Sequence, residues 1–322
     1  EPFNLEHGPS MYHYFKEVSY DLLTVNTLHY PECEMSEQSI SYQDEHTRDY
    51  YQPYNAISNP IGYQDDGDAG NREQLLLKNA IEYISNQLPE NLDVDANDDG
   101  YVDNVTFLIK GSPGAWADLL WPHRWALYIE EAYLNGARVW DYNLNLEQGG
   151  YFTVGTLCHE FFHSLGAPDL YHYWDDSAPV AVGGWDIMDA SSEIPQSMSA
   201  YMKYRYTDWI TDLPILEYGG TYEIFPLSNP EQNIFRVNSP LTVDEYFVLE
   251  YRVQDGIYEI NTPGDNDGLI IYRVNQNYAG NANGPPDELY VYRTGGTLTS
   301  NGIFSGAVFN AEIEQNKFND NT

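Results

Sequence analysis

Apolar residues recur at a helical spacing in two stretches of the chain. Between Asn71 and Leu88 they stand mostly three or four positions apart, and Pro89 follows directly. Because an α-helix turns once in about 3.6 residues, this spacing predicts one buried helix face. The stretch from Met198 to Tyr206 also predicts a helix. The apolar face of the first helix comprises Leu75, Leu76, Leu77, Ala80, Ile81, Ile84 and Leu88.

Other stretches show the patterns of strands or of loops. Aromatic and polar residues alternate from Met11 to Tyr20, and residues 21–25 then predict a strand. Residues 31–70 are polar and without period, which predicts a loop. The apolar run Val105–Ile109 predicts a buried strand. Further strands are predicted at 138–144, 221–225, 233–237, 246–252, 269–274 and 289–292.

The pattern changes near residue 207, and this change predicts two domains. Residues 1–207 combine helices and strands, so we expect an α+β domain with a mixed sheet. Residues 208–322 carry short alternating strands separated by Pro, Asn and Gly. They predict an antiparallel β-rich domain that is sandwich-like or a layered sheet, and we expect its C-terminal end to be incomplete.

The stretch from Thr156 to Asp169 carries the strongest chemical signal. His159 and His163 are four positions apart, so both imidazoles lie on one helix face and can reach one metal ion. Gly166 ends the helix and Pro168 prevents its continuation, which allows the chain to turn Asp169 back as a third ligand. The alternative is a buried helix whose histidines are hydrogen-bonded core residues.

Two imidazoles and one carboxylate are the ligand set of a catalytic zinc site. They leave the fourth tetrahedral position open to water, whereas structural zinc sites are closed by four protein ligands. Glu160 stands between the two histidines and is the candidate general base. We therefore predict a zinc ion held by His159, His163 and Asp169.

A second metal site is predicted in the acidic stretch 93–103. Oxygen-bearing residues stand at alternate positions around a glycine, as in the first half of an EF-hand loop. Thr106 occupies the position at which that loop usually has glutamate. We predict a structural calcium ion, and the alternative is a solvated acidic turn. The candidate ligands are Asp95, Asn97, Asp99, Tyr101 and Asp103.

Charge and composition limit the partners and the compartment. Lys and Arg number 14 against 50 Asp and Glu, and the net charge of −36 repels nucleic acid phosphates and anionic membranes. No apolar run is long enough to span a bilayer. An aromatic composition of 15% suits an exported protein, and we expect a secreted, cell-surface or periplasmic monomer, with the signal and propeptide absent from this chain. The two cysteines, Cys33 and Cys158, do not indicate whether they pair.

Past the metal motif, a glycine-rich turn carries Met188. The motif from His159 to Asp169 followed by this turn resembles the metzincin zinc peptidases. The extended motif through Tyr171, with Gly-Gly-Trp185-Asp-Ile-Met188, is similar to the M6 family, the secreted metallopeptidases of the immune inhibitor A type. Further similar segments are the acidic loop, Trp121–Trp125, Tyr246–Arg252 and residues 263–274; at Arg273 and Asn275 the family more often has His and Asp.

The resemblance implies a metzincin-like catalytic domain with an active-site helix and a methionine turn. It implies zinc on His159, His163 and Asp169, Glu160 as the catalytic base, calcium in the acidic loop, and Met188 as the hydrophobic floor beneath the zinc. Residues 138–144 stand where a zinc protease would place the edge strand that pairs with its substrate. His123 and Tyr171 are possible cleft residues that could donate a hydrogen bond to an oxyanion.

The expected function is a zinc endopeptidase that acts on proteins or peptides. One rival hypothesis is a catalytically inactive secreted module that holds calcium and zinc and binds carbohydrate or protein. Another is a peptidase whose third ligand is a glutamate on a later helix, and Gly166 with Asp169 argues against it. Glu160 distinguishes the endopeptidase from the inactive module, because a binding module has no use for a carboxylate between two ligands.

Overall fold

The computed structural model describes residues 2–32, 40–111, 119–148, 150–175 and 177–318 as a mixed α+β chain. Its helices are α1 (Met11–Val18), α2 (Asp66–Ser85), α3 (Val154–Ser164) and α4 (Ala200–Tyr206). Its strands are β1 (Val105–Ile109), β2 (His123–Ala126), β3 (Tyr133–Leu134), β4 (Ala137–Arg138), β5 (Asp141–Leu146), β6 (Ile234–Asn238), β7 (Glu245–Arg252), β8 (Gly268–Asn275) and β9 (Leu289–Val291). Every helix among these residues is too short or too polar to cross a lipid bilayer.

The chain divides into two compact units. The discontinuous unit comprises Glu1–Asn26 and Thr153–Thr322, and the continuous unit comprises Thr27–Phe152. This division differs from the predicted boundary at residue 207. The reason lies in buried side chains of β7 that bond to the α3–α4 connection within the discontinuous unit: Arg252 donates to the carbonyl oxygens of Trp185 and Ser197 at 2.7 and 3.3 Å.

The continuous unit holds a three-stranded mixed sheet in the order β1-β5-β2. β1 runs parallel to β5, and β2 runs antiparallel to it. The prediction that residues 138–144 form an edge strand is therefore wrong, because β5 lies between β1 and β2. Tyr142–Leu146 are all buried, as is typical of a central strand. The two edge positions of this sheet belong to β1 and β2.

Helix α2 confirms the predicted helical spacing but begins earlier than predicted. Asp65 caps its N-terminus by accepting a hydrogen bond from the backbone N–H of Asp68 at 2.9 Å, so residues 66–70 are helical rather than loop. The helix ends at Ser85, before Pro89. Leu77 and Ile81 on its apolar face are buried in the core of this unit.

The β-rich part of the discontinuous unit is one antiparallel sheet in the order β6-β7-β8-β9. Its four strands confirm four of the five strands predicted after residue 219. The fifth prediction, residues 221–225, is wrong: this segment forms no strand, and its first three residues are exposed. No second sheet packs face to face with this one among the described residues, so the expected sandwich is not observed.

The N-terminal segment contains a helix where the alternation of residues suggested none. α1 begins after Ser10, whose hydroxyl accepts from the N–H of His13 at 3.1 Å. Met11, Tyr14, Phe15 and Val18 share its buried face, which is a helical spacing hidden within the aromatic alternation. Residues 21–25, predicted as a strand, form none. The Phe15 ring packs 5.1 Å from that of Phe161, between ring centroids, so α1 supports α3.

Helix α4 carries a buried lysine. Lys203 is 2% exposed, and its ammonium nitrogen lies 3.4 Å from the Tyr20 hydroxyl. Glu250 and Glu259, whose charges act on Lys203, form their ion pairs with Arg252 instead. Burial lowers the pKa of Lys203 to about 7.

This pKa predicts a pH-dependent free energy of unfolding. Between about pH 7 and the ordinary lysine pKa of 10.5, the unfolded chain holds a proton on Lys203 that the folded chain releases, so stability rises with pH. We expect wild type to gain up to about 1.4 kcal/mol per pH unit relative to Lys203→Met between pH 7 and 9. Urea unfolding of both proteins at three pH values measures this difference. Parallel pH profiles would contradict it.

Candidate metal centre

Helix α3 presents the candidate metal ligands and ends where the sequence predicts. Thr153 caps its N-terminus by accepting from the N–H of Thr156 at 3.0 Å. The helix ends at Ser164, and Gly166 follows with a φ of +103°, a left-handed conformation that favours glycine. The chain then turns, and this turn brings Asp169 back to the helix.

Three ligand atoms meet beside this helix. Oδ1 of Asp169 lies 3.1 Å from Nε2 of His159 and 3.3 Å from Nε2 of His163. Ligands on zinc bonds of about 2.0 Å at tetrahedral angles stand about 3.3 Å apart, so both separations suit one zinc ion. His159, Glu160 and His163 also offer ligand atoms within 4.8 Å of one another and could hold a metal ion. The distances within the set His159, His163 and Asp169 favour Asp169, rather than Glu160, as the third ligand.

Both imidazoles have their other nitrogen bonded to a backbone carbonyl. Nδ1 of His159 lies 2.9 Å from the oxygen of Ile187, and Nδ1 of His163 lies 2.7 Å from the oxygen of Ala167. A carbonyl oxygen only accepts, so each Nδ1 carries the proton and donates it. In the neutral imidazole Nε2 is then an acceptor. The backbone thus sets the tautomer that metal binding needs.

Asp169 is oriented by its second carboxylate oxygen. The Tyr173 hydroxyl donates to Oδ2, and Oδ1 accepts no hydrogen bond from any residue that the structure describes. Oδ1 is nevertheless buried and faces the two imidazoles. Three electron pairs therefore converge where only a proton or a cation can stabilise them, so these residues fit a metal ion.

The pKa shifts reflect the same convergence. Burial lowers the pKa of His159, but the nearby carboxylates of Asp169 and Glu160 outweigh burial and raise the pKa to about 9. Burial opposes ionisation of Asp169, yet the two imidazoles hold the pKa of this carboxyl well below its usual range. Asp169 is therefore a carboxylate at neutral pH. Because a metal ion displaces any proton shared by these groups, its binding competes with protonation.

Glu160 lies within this buried group. Its side chain is more than nine-tenths buried, between the two histidines in sequence and within ligand distance of both. A buried carboxylate costs free energy unless charges or hydrogen-bond donors compensate it. Its position suits proton transfer at the centre.

The methionine turn supports the two ends of the ligand set. The Ile187 carbonyl holds His159, and the Met188 carbonyl accepts from the N–H of Leu170, next to Asp169, at 2.9 Å. The turn itself is held by Asp186, whose carboxylate accepts from the N–H groups of Met188 and Ser199 at 2.9 and 2.6 Å. Met188 is fully buried. That the Met188 side chain forms a hydrophobic floor beneath the metal remains a prediction.

The acidic loop is ordered by its own side chains. Asp95 accepts from the N–H groups of Asp99 and Gly100 at 3.0 and 2.8 Å, and Asp99 accepts from Tyr101 at 2.9 Å. Asn97 and Asp103 accept similar backbone bonds. Among the described residues, no three carboxylates of this loop lie within 4.8 Å of one another. Calcium in this loop remains a prediction.

The two possible cleft residues lie in different settings. Tyr171 stacks on the His159 ring at 6.3 Å between centroids, in the discontinuous unit, and burial raises its pKa above the usual value. His123 begins β2 in the continuous unit, where it lines an open cavity of about 570 Å³ with Trp121, Trp125 and Glu73. Its Nδ1 donates to the Trp121 carbonyl at 2.8 Å.

Several supporting residues were not found by sequence reasoning. Tyr173, Ile187 and Ala167 hold the ligands, and Asn281 bonds to the Asp169–Leu170 backbone. Ile187 and Ala167 act through carbonyl groups that every residue carries, so no sequence signal marks them. Tyr173 belongs to the aromatic run after Asp169, which is a weak signal. Cys158 is buried, and Cys33 lies outside the described residues.

The chain was compared with known proteins. No protein family model matches it, and no curated protein matches it either. The similarity to the M6 family therefore depends on the motifs alone.

Proposed function

We propose that this protein is a zinc-dependent endopeptidase that hydrolyses peptide bonds in proteins. The observation that carries the proposal is the convergence of His159, His163 and Asp169 on one point, with the two imidazoles in the tautomer that leaves Nε2 as an acceptor. A buried carboxylate, Glu160, lies beside that point. Metal-assisted hydrolysis needs this combination of ligands and base.

The residues that would hold the zinc are His159, His163 and Asp169. A zinc ion bound there supplies Lewis acidity, which lowers the pKa of water and polarises a carbonyl group. Tyr173 keeps one carboxylate oxygen of Asp169 occupied, so the other is left to act as a ligand. Structural zinc sites use four protein ligands, and three favour a catalytic role.

Glu160 would move the proton of the reaction. Its carboxylate accepts a proton from the attacking water and delivers it to the nitrogen of the leaving amine. Tyr171 carries its hydroxyl proton at neutral pH, as tyrosines ordinarily do, and burial raises its pKa further, so this hydroxyl is able to donate to an oxyanion. Hydrophobic surroundings from the methionine turn would keep bulk water away from the ligands.

The order of elements supports a metzincin-like fold and M6 membership. A strand parallel to β5, an antiparallel edge strand, the ligand helix and a methionine turn follow one another along the chain. Secretion and a structural calcium ion belong to the same proposal. A binding module with a vestigial zinc site is the second candidate, and the buried Glu160 disfavours it.

Removing and restoring the metal tests the function. We expect the purified protein to carry about one zinc ion per chain and to cleave unfolded casein. Chelation should abolish cleavage, and added Zn²⁺ should restore it, because the ligands stay in place. Metal analysis and release of casein peptides measure both effects. Full activity in protein shown to be free of metal would contradict the proposal.

A further inference from the structure

The loop between β8 and β9 runs alongside the segment that carries Asp169. Asn281 donates its backbone N–H to the Asp169 carbonyl at 2.8 Å, and Tyr173 donates its own to the Ala282 carbonyl at 2.9 Å. Both bonds join segments more than a hundred residues apart in the chain. The third ligand is therefore held by the β-rich sheet as well as by the turn after α3.

The Asn281 side chain fastens this loop. Its Nδ2 donates to the carbonyl oxygens of Leu170 and Leu289 at 3.0 and 2.8 Å, and its Oδ1 accepts from the N–H of Leu289 at 3.1 Å. The residue is completely buried. One amide thus joins the backbone beside Asp169 to the first residue of β9, and all its polar atoms are bonded.

Gly280 allows the two segments to come this close. Its φ is +74°, and a methyl group at its α-carbon would stand 2.6 Å from Cβ of Pro168 and 2.8 Å from the Asp169 carbonyl oxygen. Its N–H donates to Glu288, which also accepts from the hydroxyls of Tyr201 and Tyr206 on α4 at 2.6 Å each. These hydrogen bonds hold the loop to α4, and Gly280 packs directly against Pro168 and Asp169.

We propose that Asn281 is a positioning residue for the third metal ligand, so that metal affinity at α3 depends on the β8–β9 loop. This inference rests on the proposed function, since it concerns the same centre. Leu170 is held on one side by the Met188 carbonyl and on the other by Asn281. Without the side-chain amide, the Leu170 carbonyl loses its partner, and the backbone beside Asp169 is held less firmly in the orientation that points Oδ1 at the imidazoles. Supporting groups of this kind typically contribute ~10–100-fold in metal affinity.

The test compares two buried asparagines in the same unit. Asn281→Leu removes the side-chain bonds to Leu170 and Leu289 without adding charge. Asn233→Leu is the control, because Asn233 is also buried and donates to the Tyr20 hydroxyl and the Asn229 carbonyl at 2.9 and 2.5 Å. We expect Zn²⁺ to bind the Asn281 variant about 10–100-fold more weakly, and the control within about twofold of wild type.

Cobalt supplies a readout that general destabilisation does not change. The visible spectrum of bound Co²⁺ reports its coordination, so the spectrum should change only in the Asn281 variant, where the Asp169 carboxylate no longer coordinates the ion. Urea unfolding of both variants shows that each is folded under the binding conditions. Wild-type affinity and spectrum in the Asn281 variant would overturn the inference. A wild type that binds neither ion at these residues would overturn the proposed function instead.

A pair of glycines gives a second test of the inference, which can be used if the Asn281→Leu variant does not fold. Gly280 and Gly295 have φ values of +74° and +72°, so alanine strains both backbones alike. At Gly295 the nearest atom to an added methyl group is 3.7 Å away, whereas at Gly280 the group meets Pro168 and Asp169. We expect Gly280→Ala to weaken Zn²⁺ binding by at least tenfold relative to Gly295→Ala. Equal affinities would overturn the inference.

Discussion

Replacing Glu160 by alanine should lower the rate of casein hydrolysis by about 10²–10⁴-fold while zinc stays bound. Glu160 contributes a carboxylate at the centre, but His159, His163 and Asp169 keep the short distances expected of the metal ligands. Removing the carboxylate takes away the acceptor for the proton of the attacking water. It also removes a buried negative charge, so the protein should not lose stability for that reason. Initial rates of peptide release and zinc content per chain measure the two effects together.

Glu193→Ala is the matched control for this experiment. Glu193 is an exposed acid in the same unit and uses its backbone oxygen, rather than its carboxylate, to accept from Gly155. This variant should keep both activity and zinc. If Glu160→Ala hydrolysed casein at the wild-type rate, Glu160 would not be the base. If it lost zinc, Glu160 rather than Asp169 would be a ligand.

Replacing Arg252 by methionine should lower the free energy of unfolding by about 3–5 kcal/mol. Arg252 is 2% exposed and donates from Nε to Glu250 at 2.6 Å and from Nη1 to both carboxylate oxygens of Glu259 at 2.7 Å. Its Nη2 donates to the Trp185 carbonyl, which begins the methionine turn. The variant leaves Glu250, which is completely buried, without its cation. Urea unfolding at constant pH and salt measures the loss.

The control is Arg236→Met on the neighbouring strand β6. The Arg236 guanidinium donates to Asn238 at the surface and lies over the Tyr246 ring at 3.9 Å, without a carboxylate partner among the described residues. Its replacement should cost less than about 1 kcal/mol. If Arg252→Met were as stable as wild type, the buried network would not hold the methionine turn to the sheet.

The candidate metal ligands could be predicted from sequence because their geometry is largely local. His159 and His163 share a helix face through four-residue spacing, and Gly166 ends that helix through its own backbone freedom. Asp169 then follows within one turn of chain. The same holds for α2 and for β6 to β9, whose patterns of apolar residues are complete within each segment.

The local pattern of apolar residues was insufficient to predict the structure where a helical and a strand period coincide, or where the result depends on the order of strands in a sheet. Aromatic residues in α1 satisfy alternation and helical spacing together, and the Ser10 cap and the packing of Phe15 on Phe161 favour the helix. The position of β5 between β1 and β2 depends on pairing with distant strands, so residues 138–144 alone could not exclude an edge strand. The same applies to the boundary at residue 207.

The sequence by itself determined which side chains are the candidate metal ligands and which carboxylate is the candidate base, because residue identity and short spacing carry that information. Only the tertiary structure decided how those side chains are held. The tautomers of His159 and His163 depend on two carbonyl groups, and the orientation of Asp169 depends on Tyr173 and on Asn281. The contact of Asn281 joins residues more than a hundred positions apart, so it forms only when the chain folds, and nothing in the local sequence encodes it.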